Sequence, residues 1–272
     1  MSFDLNSKPD MNRIVGQHNI LFVVLDALRY DVAQQEFLSG HLPNFEKHLA
    51  PSGWEKRYTP GSFTYPAHKA FFAGFLPTKT GQKITGRLFA AAFQDSESTN
   101  ERTFVFQEND FITALNNNNY ATCCIGGVGF FNKQNAISQE FPGLFKDSYW
   151  STETGVTQKD SSKNQFTIAK RWLDKTNCLH CLFINVSAIH QPNYFYSREE
   201  NRDDLESHAA ALRYVDGQLP ILLDAIKKKG KTFCIFCSDH GTSYGEDGHW
   251  GHRNGHWTVM EVPYAHFEIG GH

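Results

Sequence analysis

The stretch Ser238 to His252, read S-D-H-G-T-S-Y-G-E-D-G-H-W-G-H, concentrates side chains able to hold a divalent cation. Adjacent Asp239 and His240 offer a carboxylate and an imidazole, and Gly241 lacks the Cβ that would hinder the chain from turning away. The pair follows Phe233 to Cys237, an apolar run that reads as a buried strand, so both side chains emerge at a strand end. Open α/β sheets collect ligands there.

Three other places carry chemistry. Asp26 closes a second apolar run, Asn19 to Leu25, and a helical pattern follows it up to Gly40. It is either a helix N-cap or a metal ligand. Thr64 stands in G-S-F-T-Y-P-A-H-K-A-F-F-A-G, where Pro66 marks an early helical position. Its hydroxyl, beside free N–H groups and the positive end of the dipole, suits a nucleophile or a phosphate contact, and equally an ordinary cap. His68 lies one turn on, on the same face. His190 emerges just past the strand-like run Cys178 to Ser187.

The elements that must position these residues alternate along the chain. W-E-K-R-Y is a possible second strand, and a short helix is expected after Pro43. Lys79 to Asn109 reads as an irregular loop region over the sheet, one that shapes the substrate site; Phe106 to Leu115 reads as a helix and Tyr120 to Ile125 as a buried strand. Gly126, Gly127 and Gly129 make a loop, Phe130 to Asp160 has no clear pattern, and Asn164 to Lys175 is a helix. A long helical pattern from Asp203 to Lys229 is expected to kink or break at Pro220. Lys231 to Cys237 and Val262 to Ile269 are the last strands. This order predicts one α/β domain over residues 1–272, a doubly wound and mostly parallel sheet with helices on both faces. One edge of such a sheet collects Asp26, Thr64, His190, Asp239 and His240.

Composition narrows the function classes. With 26 Lys+Arg against 29 Asp+Glu the formal charge is -3, and no basic block stands out, so nucleic acid is not an electrostatically favoured partner. The first residues are polar and no apolar run approaches about 18 residues, so the expectation is a cytoplasmic protein with no membrane partner. Cys178, Cys181, Cys234 and Cys237 form two CxxC pairs within apolar runs, where i and i+3 side chains point to opposite faces of a strand. They read as reduced core thiols.

Together these segments resemble the alkaline phosphatase superfamily, specifically its sulfatase and phosphoethanolamine-transferase branches. N-I-L-F-V-V-L-D-A-L-R-Y-D looks like the family's first strand and metal-binding acid. Y-T-P-G-S-F-T-Y-P-A-H-K-A-F-F-A-G keeps the spacing of the sulfatase pattern C-x-P-S-R-x-x-x-x-T-G, with Thr64 at the nucleophile and His68 at the Arg. A-L-N-N-N-N-Y-A-T-C-C-I-G-G resembles the segment that carries a substrate-binding K-W-H, and N-V-S-A-I-H-Q-P-N-Y resembles the H-x-P-Y stretch. Ser238 to His252 resembles the transferases' S-D-H-G-E-S-L-G-E-N-G-x-x-L-H-G, with His252 at its final His.

The resemblance implies an alkaline-phosphatase-like fold with no or a minimal C-terminal subdomain. It implies that Asp26, Thr64, Asp239 and His240 bind a principal zinc or manganese ion, and that His190 and His252 bind a second ion or the substrate's charged oxygens. Thr64 would attack phosphorus, and His190, His252 or His68 would protonate the leaving group. His249 and His256 flank His252 and compete with it for that place, though the family spacing favours His252; Lys69 and Arg253 are either phosphate contacts or surface charge. Two departures matter. A Thr cannot give the formylglycine aldehyde that sulfatases need, and Gly127 and Gly129 stand where the Lys and His of K-W-H would be. The expected activity is therefore phosphoester hydrolysis on a small molecule, with phosphoryl transfer in a biosynthetic pathway or non-catalytic binding of a phosphorylated ligand as alternatives.

Overall fold

The computed structural model describes residues 9–81, 86–197 and 202–270; His272 lies outside them. In chain order the elements are α1 (Met11–Ile14), β1 (Asn19–Leu25), α2 (Tyr30–Leu38), β2 (Glu55–Tyr58), α3 (Thr64–Phe72) and β3 (Thr78–Lys79). Then come β4 (Phe89–Ala91), β5 (Phe104–Phe106), α4 (Phe111–Asn117), β6 (Ala121–Ile125), α5 (Ala136–Glu140), β7 (Asp147–Tyr149), α6 (Ser161–Lys175) and β8 (His180–Val186). The chain continues with α7 (Leu205–Lys227), β9 (Thr232–Cys237), β10 (Ser243–Tyr244), β11 (Trp250–Gly251), α8 (Trp257–Met260) and β12 (Glu261–Ile269). Among the described residues no helix is long and apolar enough to cross a membrane.

One eight-stranded sheet, ordered β3-β2-β12-β9-β1-β8-β6-β7, forms the middle layer. The five strands from β9 to β7 run parallel, whereas β12, β2 and β3 close the other side antiparallel. Strands β1, β8 and β9 are buried along their whole length because both faces are covered, which is why each reads as a continuous apolar run. Alternation along β1 sorts its side chains. Leu21, Val23 and Leu25 join one core with residues of α2, α6 and α7, while Ile20, Phe22 and Val24 join a second core with α3 and α4. Helices thus cover both faces.

The second core is built of phenylalanines. The Phe22 ring lies 5.4 Å from Phe183, 6.0 Å from Phe71 and 6.3 Å from Phe111, all tilted or edge-on. Each buried Phe contributes about 1.5–3 kcal/mol through burial, and tilted pairs add about 0.5–1.5 kcal/mol. Register then sets the functional edge: Leu25 pairs with Val186 and Val24 with Cys237, so Asp26, Ser187 and Ser238 all leave the sheet at one level.

Several elements differ from expectation. Residues 43–48 form turns rather than a helix, and the N–H groups of Asn44 and Phe45 donate to the Asp216 carboxylate, at 3.2 Å and 2.8 Å. Helix α7 runs through Pro220 unbroken. Proline has no N–H for the carbonyl one turn earlier, at Asp216, and the Asn44 side-chain amide fills that place at 3.0 Å. Phe106 ends a strand rather than starting a helix: β4 and β5 pair in parallel, and α4 begins at Phe111 behind its Asp110 cap. The described residues between Lys79 and Asn109 pack on α1 and α4, with Met11 donating to the Arg102 carbonyl at 2.8 Å and Phe89 stacked on Phe111 at 4.4 Å. Five cysteines are buried, but Cys178 lies outside β8 and is exposed.

Candidate metal centre and nucleophile

Asp26 leaves β1 with its N–H still bonded to the Val186 carbonyl at 3.1 Å. Ala27 then turns the chain at φ 65°, a left-handed conformation that costs a residue with a Cβ. The turn aims the Ala27 N–H at Asp239 Oδ1, 3.2 Å away, and links the ends of β1 and β9. Helix α2 starts only at Tyr30 after an Arg29 cap, so Asp26 does not cap it.

The ligand atoms of Asp26, Asp239 and His240 all lie within 4.8 Å of one another, and all three residues are fully buried. Each side chain has one atom tied down and one free. Asp26 Oδ2 accepts from Asn185 Nδ2 at 2.8 Å, whereas Oδ1 has no hydrogen-bond partner. Asp239 Oδ1 accepts from the N–H groups of Ala27 and His240, whereas Oδ2 has none. His240 Nδ1 donates to the Gly241 carbonyl at 2.8 Å, leaving the Nε2 lone pair 3.7 Å from Asp26 Oδ1 and 3.6 Å from Asp239 Oδ2. Burial, reinforced by the neighbouring Asp239, pushes the Asp26 carboxyl up to about 6, and burial pushes Asp239 up to about 7. Burial also holds the His240 imidazole below its ordinary value. Two unpartnered carboxylate oxygens and a bare imidazole nitrogen in one dry pocket are the donor set a divalent cation satisfies.

Thr64 is the first residue of α3, one place after the Phe63 cap, and its Oγ1 lies 3.4 Å from His240 Nε2. His68 sits beneath it. Nδ1 bonds to the Thr64 carbonyl at 2.8 Å and stands 3.6 Å from Asp239 Oδ2, inside a cage of Phe71, Phe72, Phe131, Phe141 and Phe183. Burial lowers its pKa to about 3, and its bond to the Thr64 carbonyl braces the first turn of α3.

His252 stacks on His240 with ring centroids 4.6 Å apart and meets His190 edge-on at 5.6 Å. Burial, with His240 and His190 beside it, presses the His252 pKa down to about 3. His249 and His256 stack on each other instead, and His256 caps α8 and bonds to Asp247 at 3.0 Å. Of the three histidines, the structure brings His252 to the centre.

Several residues around the site were not singled out from the sequence. Asn185 ties Asp26 to the next loop, since its Oδ1 accepts the Val128 N–H at 3.0 Å; a polar side chain inside an otherwise apolar strand is the signal that marks it. Arg29, buried, pairs with Asp31 at 2.6 Å and with Glu246 across the site loop. His208 is buried on α7: Nε2 accepts the Arg29 N–H at 3.3 Å, and Nδ1 donates to the Tyr244 hydroxyl at 3.0 Å. These bonds fix the path from His240 to His252. Gly241 serves close approach, not turning, because a Cβ there would stand 1.9 Å from the Thr258 carbonyl oxygen.

The two glycines at the K-W-H positions differ. A Cβ on Gly127 would meet the Asn185 carbonyl oxygen at 2.4 Å, so this backbone excludes a side chain, whereas Gly129 has room. Lys69 is taken up by an ion pair with Glu140. Arg253 is exposed at the site's edge.

The sequence profile of the sulfatase family matches residues 18–265. Among curated protein sequences none matches the chain. Solved structures share the fold at low identity. The C-terminal periplasmic domain of the phosphoethanolamine transferase EptC from Campylobacter jejuni aligns with a TM-score of 0.61 and 14% identity, covering 92% of this chain and 79% of that one. The zinc complex of the corresponding domain from Escherichia coli gives 0.61 and 10%, covering 98% and 74%. The lipoteichoic acid synthase LtaP from Listeria monocytogenes gives 0.58 and 14%, covering 100% and 70%.

Proposed function

The chain belongs to the sulfatase family of the alkaline phosphatase superfamily, whose members act on phosphate or sulfate esters, and from that premise we propose that it is a metal-dependent phosphoester hydrolase with Thr64 as nucleophile. One observation carries the reading: the unpartnered Asp26 Oδ1 and Asp239 Oδ2 converge with His240 Nε2 beside the Thr64 hydroxyl. Asp26, Asp239, His240 and Thr64 would hold one zinc or manganese ion, with His190 and His252 placed for a second ion or for phosphate oxygens. A divalent cation there supplies charge that lowers the hydroxyl's pKa and offsets negative charge on the phosphoryl group.

Thr64 Oγ1 attacks phosphorus in line with the ester oxygen, the P–O ester bond breaks, and the phosphoryl group passes to Thr64. His68 and the first turn of α3 keep the hydroxyl pointed at the site. His190, whose Nδ1 donates to the Gln191 carbonyl, takes the Thr64 proton on its Nε2 lone pair and passes it to the leaving oxygen as the P–O bond breaks. His252 is neutral and orients the substrate. Water then opens the phospho-Thr64 ester and returns phosphate. Sulfate esters are disfavoured because Thr64 cannot be converted to an aldehyde.

The test is acid quenching of the metal-loaded protein during turnover of an aryl phosphate, followed by peptide mass spectrometry. Phosphate on Thr64, and loss of turnover in Thr64→Ala with metal content retained, are expected. Normal turnover by Thr64→Ala sinks the nucleophile assignment. A phospho-Thr64 that persists in water and is released only by an added alcohol would move the assignment to transfer.

A further inference from the structure

We propose that Phe63 and Phe130 form a shelf beside Thr64 that receives a planar, apolar ester group, with Arg253 at its edge holding the phosphate's charge. The inference rests on the phosphoester reading and names the substrate class. Phe63 directly precedes the nucleophile and is half-buried; Phe130, from the loop after β6, is also half-buried, with its ring centroid 6.4 Å from that of Phe63. Tyr65 backs Phe130 at 5.5 Å and is itself pinned against Phe141 at 5.2 Å and by its hydroxyl bond to Glu140. The apolar faces left partly open therefore belong to rings held by their neighbours, which need little further ordering to receive a ligand.

Arg253 marks one end of this surface. Its guanidinium lies 5.4 Å over the Phe63 ring, and its N–H donates to the Ser62 carbonyl at 2.8 Å, so backbone and side chain are both fastened to the residues before Thr64. Arg253 adopts φ 73°, a left-handed turn directly after His252, which stacks on His240. Among the described residues no carboxylate is paired with it. A fixed guanidinium with free donors suits an anionic, planar group such as a phosphate, and the aromatic faces suit what that phosphate is esterified to. Lys69 is removed from this duty by Glu140, and Gly127 by the crowding of its backbone. The Phe63–Phe130 side is thus where an ester group leaving the nucleophile finds apolar surface beside the Arg253 cation.

The test uses binding, so that leaving-group reactivity does not enter. Dissociation constants of orthophosphate, methylphosphonate and phenylphosphonate for the metal-loaded protein are measured by calorimetry. Phenylphosphonate is expected to bind roughly tenfold tighter than methylphosphonate. Phe130→Ala is expected to cut that ratio to about twofold. Arg253→Ala is expected to weaken all three anions while keeping the ratio. Metal content and thermal unfolding report that each variant is folded, and in Phe130→Ala so does an unchanged orthophosphate affinity. A wild-type ratio near one, or a ratio unchanged in Phe130→Ala, overturns the shelf. If none of the three anions binds the loaded protein, the phosphoester reading fails and the shelf falls with it.

Discussion

Asn185 Nδ2 donates to Asp26 Oδ2 at 2.8 Å, and that single bond decides which of the two Asp26 oxygens is left free. Groups of this kind, one bond behind the ligand atoms, typically govern about 10–100-fold in metal affinity or activity. Asn185→Leu keeps the branching at Cγ but releases Asp26 and strands the Val128 N–H. Zinc and manganese affinity is expected to fall by about 10–100-fold, and stability by about 1–3 kcal/mol, in a metal titration and a denaturant melt. Unchanged affinity would show that Asp26 holds its orientation without the bond.

Acidity should act on the metal-free protein in an unusual direction. The Asp26 and Asp239 carboxyls are raised from 3.8 to about 6 and about 7, mainly by burial. Groups raised on folding contribute stability that is present below the unfolded pKa and lost as pH rises through the folded value. The metal-free protein should therefore lose stability between about pH 4 and 7, while the loaded protein, whose carboxylates are compensated, should not. The difference in Tm between loaded and chelated protein is expected to widen from pH 5 to pH 8; a constant difference would contradict the burial of two uncompensated acids.

Gly241 tests whether close packing or chain reversal matters in the D-H-G segment. Gly241→Ala places a methyl 1.9 Å from the Thr258 carbonyl oxygen, and shifting that backbone costs roughly 1–3 kcal/mol or more. Metal binding should weaken with it, since His240 precedes the displaced residue. Gly248→Asn is the control, because Gly248 has φ 81° but no atom within 4 Å of the place a Cβ would occupy, and Asn tolerates that conformation. Equal losses in the two variants would remove the packing explanation.

Arg29 anchors the site loop through Glu246 and is itself buried. Arg29→Met leaves Glu246 with only the Tyr244 N–H, and losing this part-buried charged hydrogen bond costs about 1–3 kcal/mol. Thermal unfolding should move down accordingly. Glu246→Gln, which retains an acceptor for the guanidinium, should lose less; the reverse order would show that Arg29 is not the anchor.

Much of this was legible before the structure because it follows from local pattern. β1 and β9 are recognisable as runs with no polar interruption, and Asp26 and Asp239-His240 are recognisable as the first titratable residues after them. What escaped depends on partners far away in the chain. The turns at 43–48 are tied to Asp216 on α7, about 170 residues away in the chain, a tie that no local pattern shows. β7 is an edge strand of three residues, too short for any periodicity to show. Family spacing already favoured His252 over His249 and His256, but the path that Arg29, His208 and Tyr244 impose on the loop has no local sign in the sequence. His68 was placed one turn from Thr64 by helical spacing, but the Phe131 and Phe183 rings that enclose it come from distant segments.

The Asn44 amide that completes α7 beneath Pro220 has a consequence for how the sequence can change. A surface turn and a helix interior, remote in the chain, share one hydrogen-bonding requirement, so neither residue is free to vary alone. Asn44 also grips the Asp216 carboxylate, Nδ2 to Oδ2 at 3.2 Å, so the turn and the helix are fastened together as one unit.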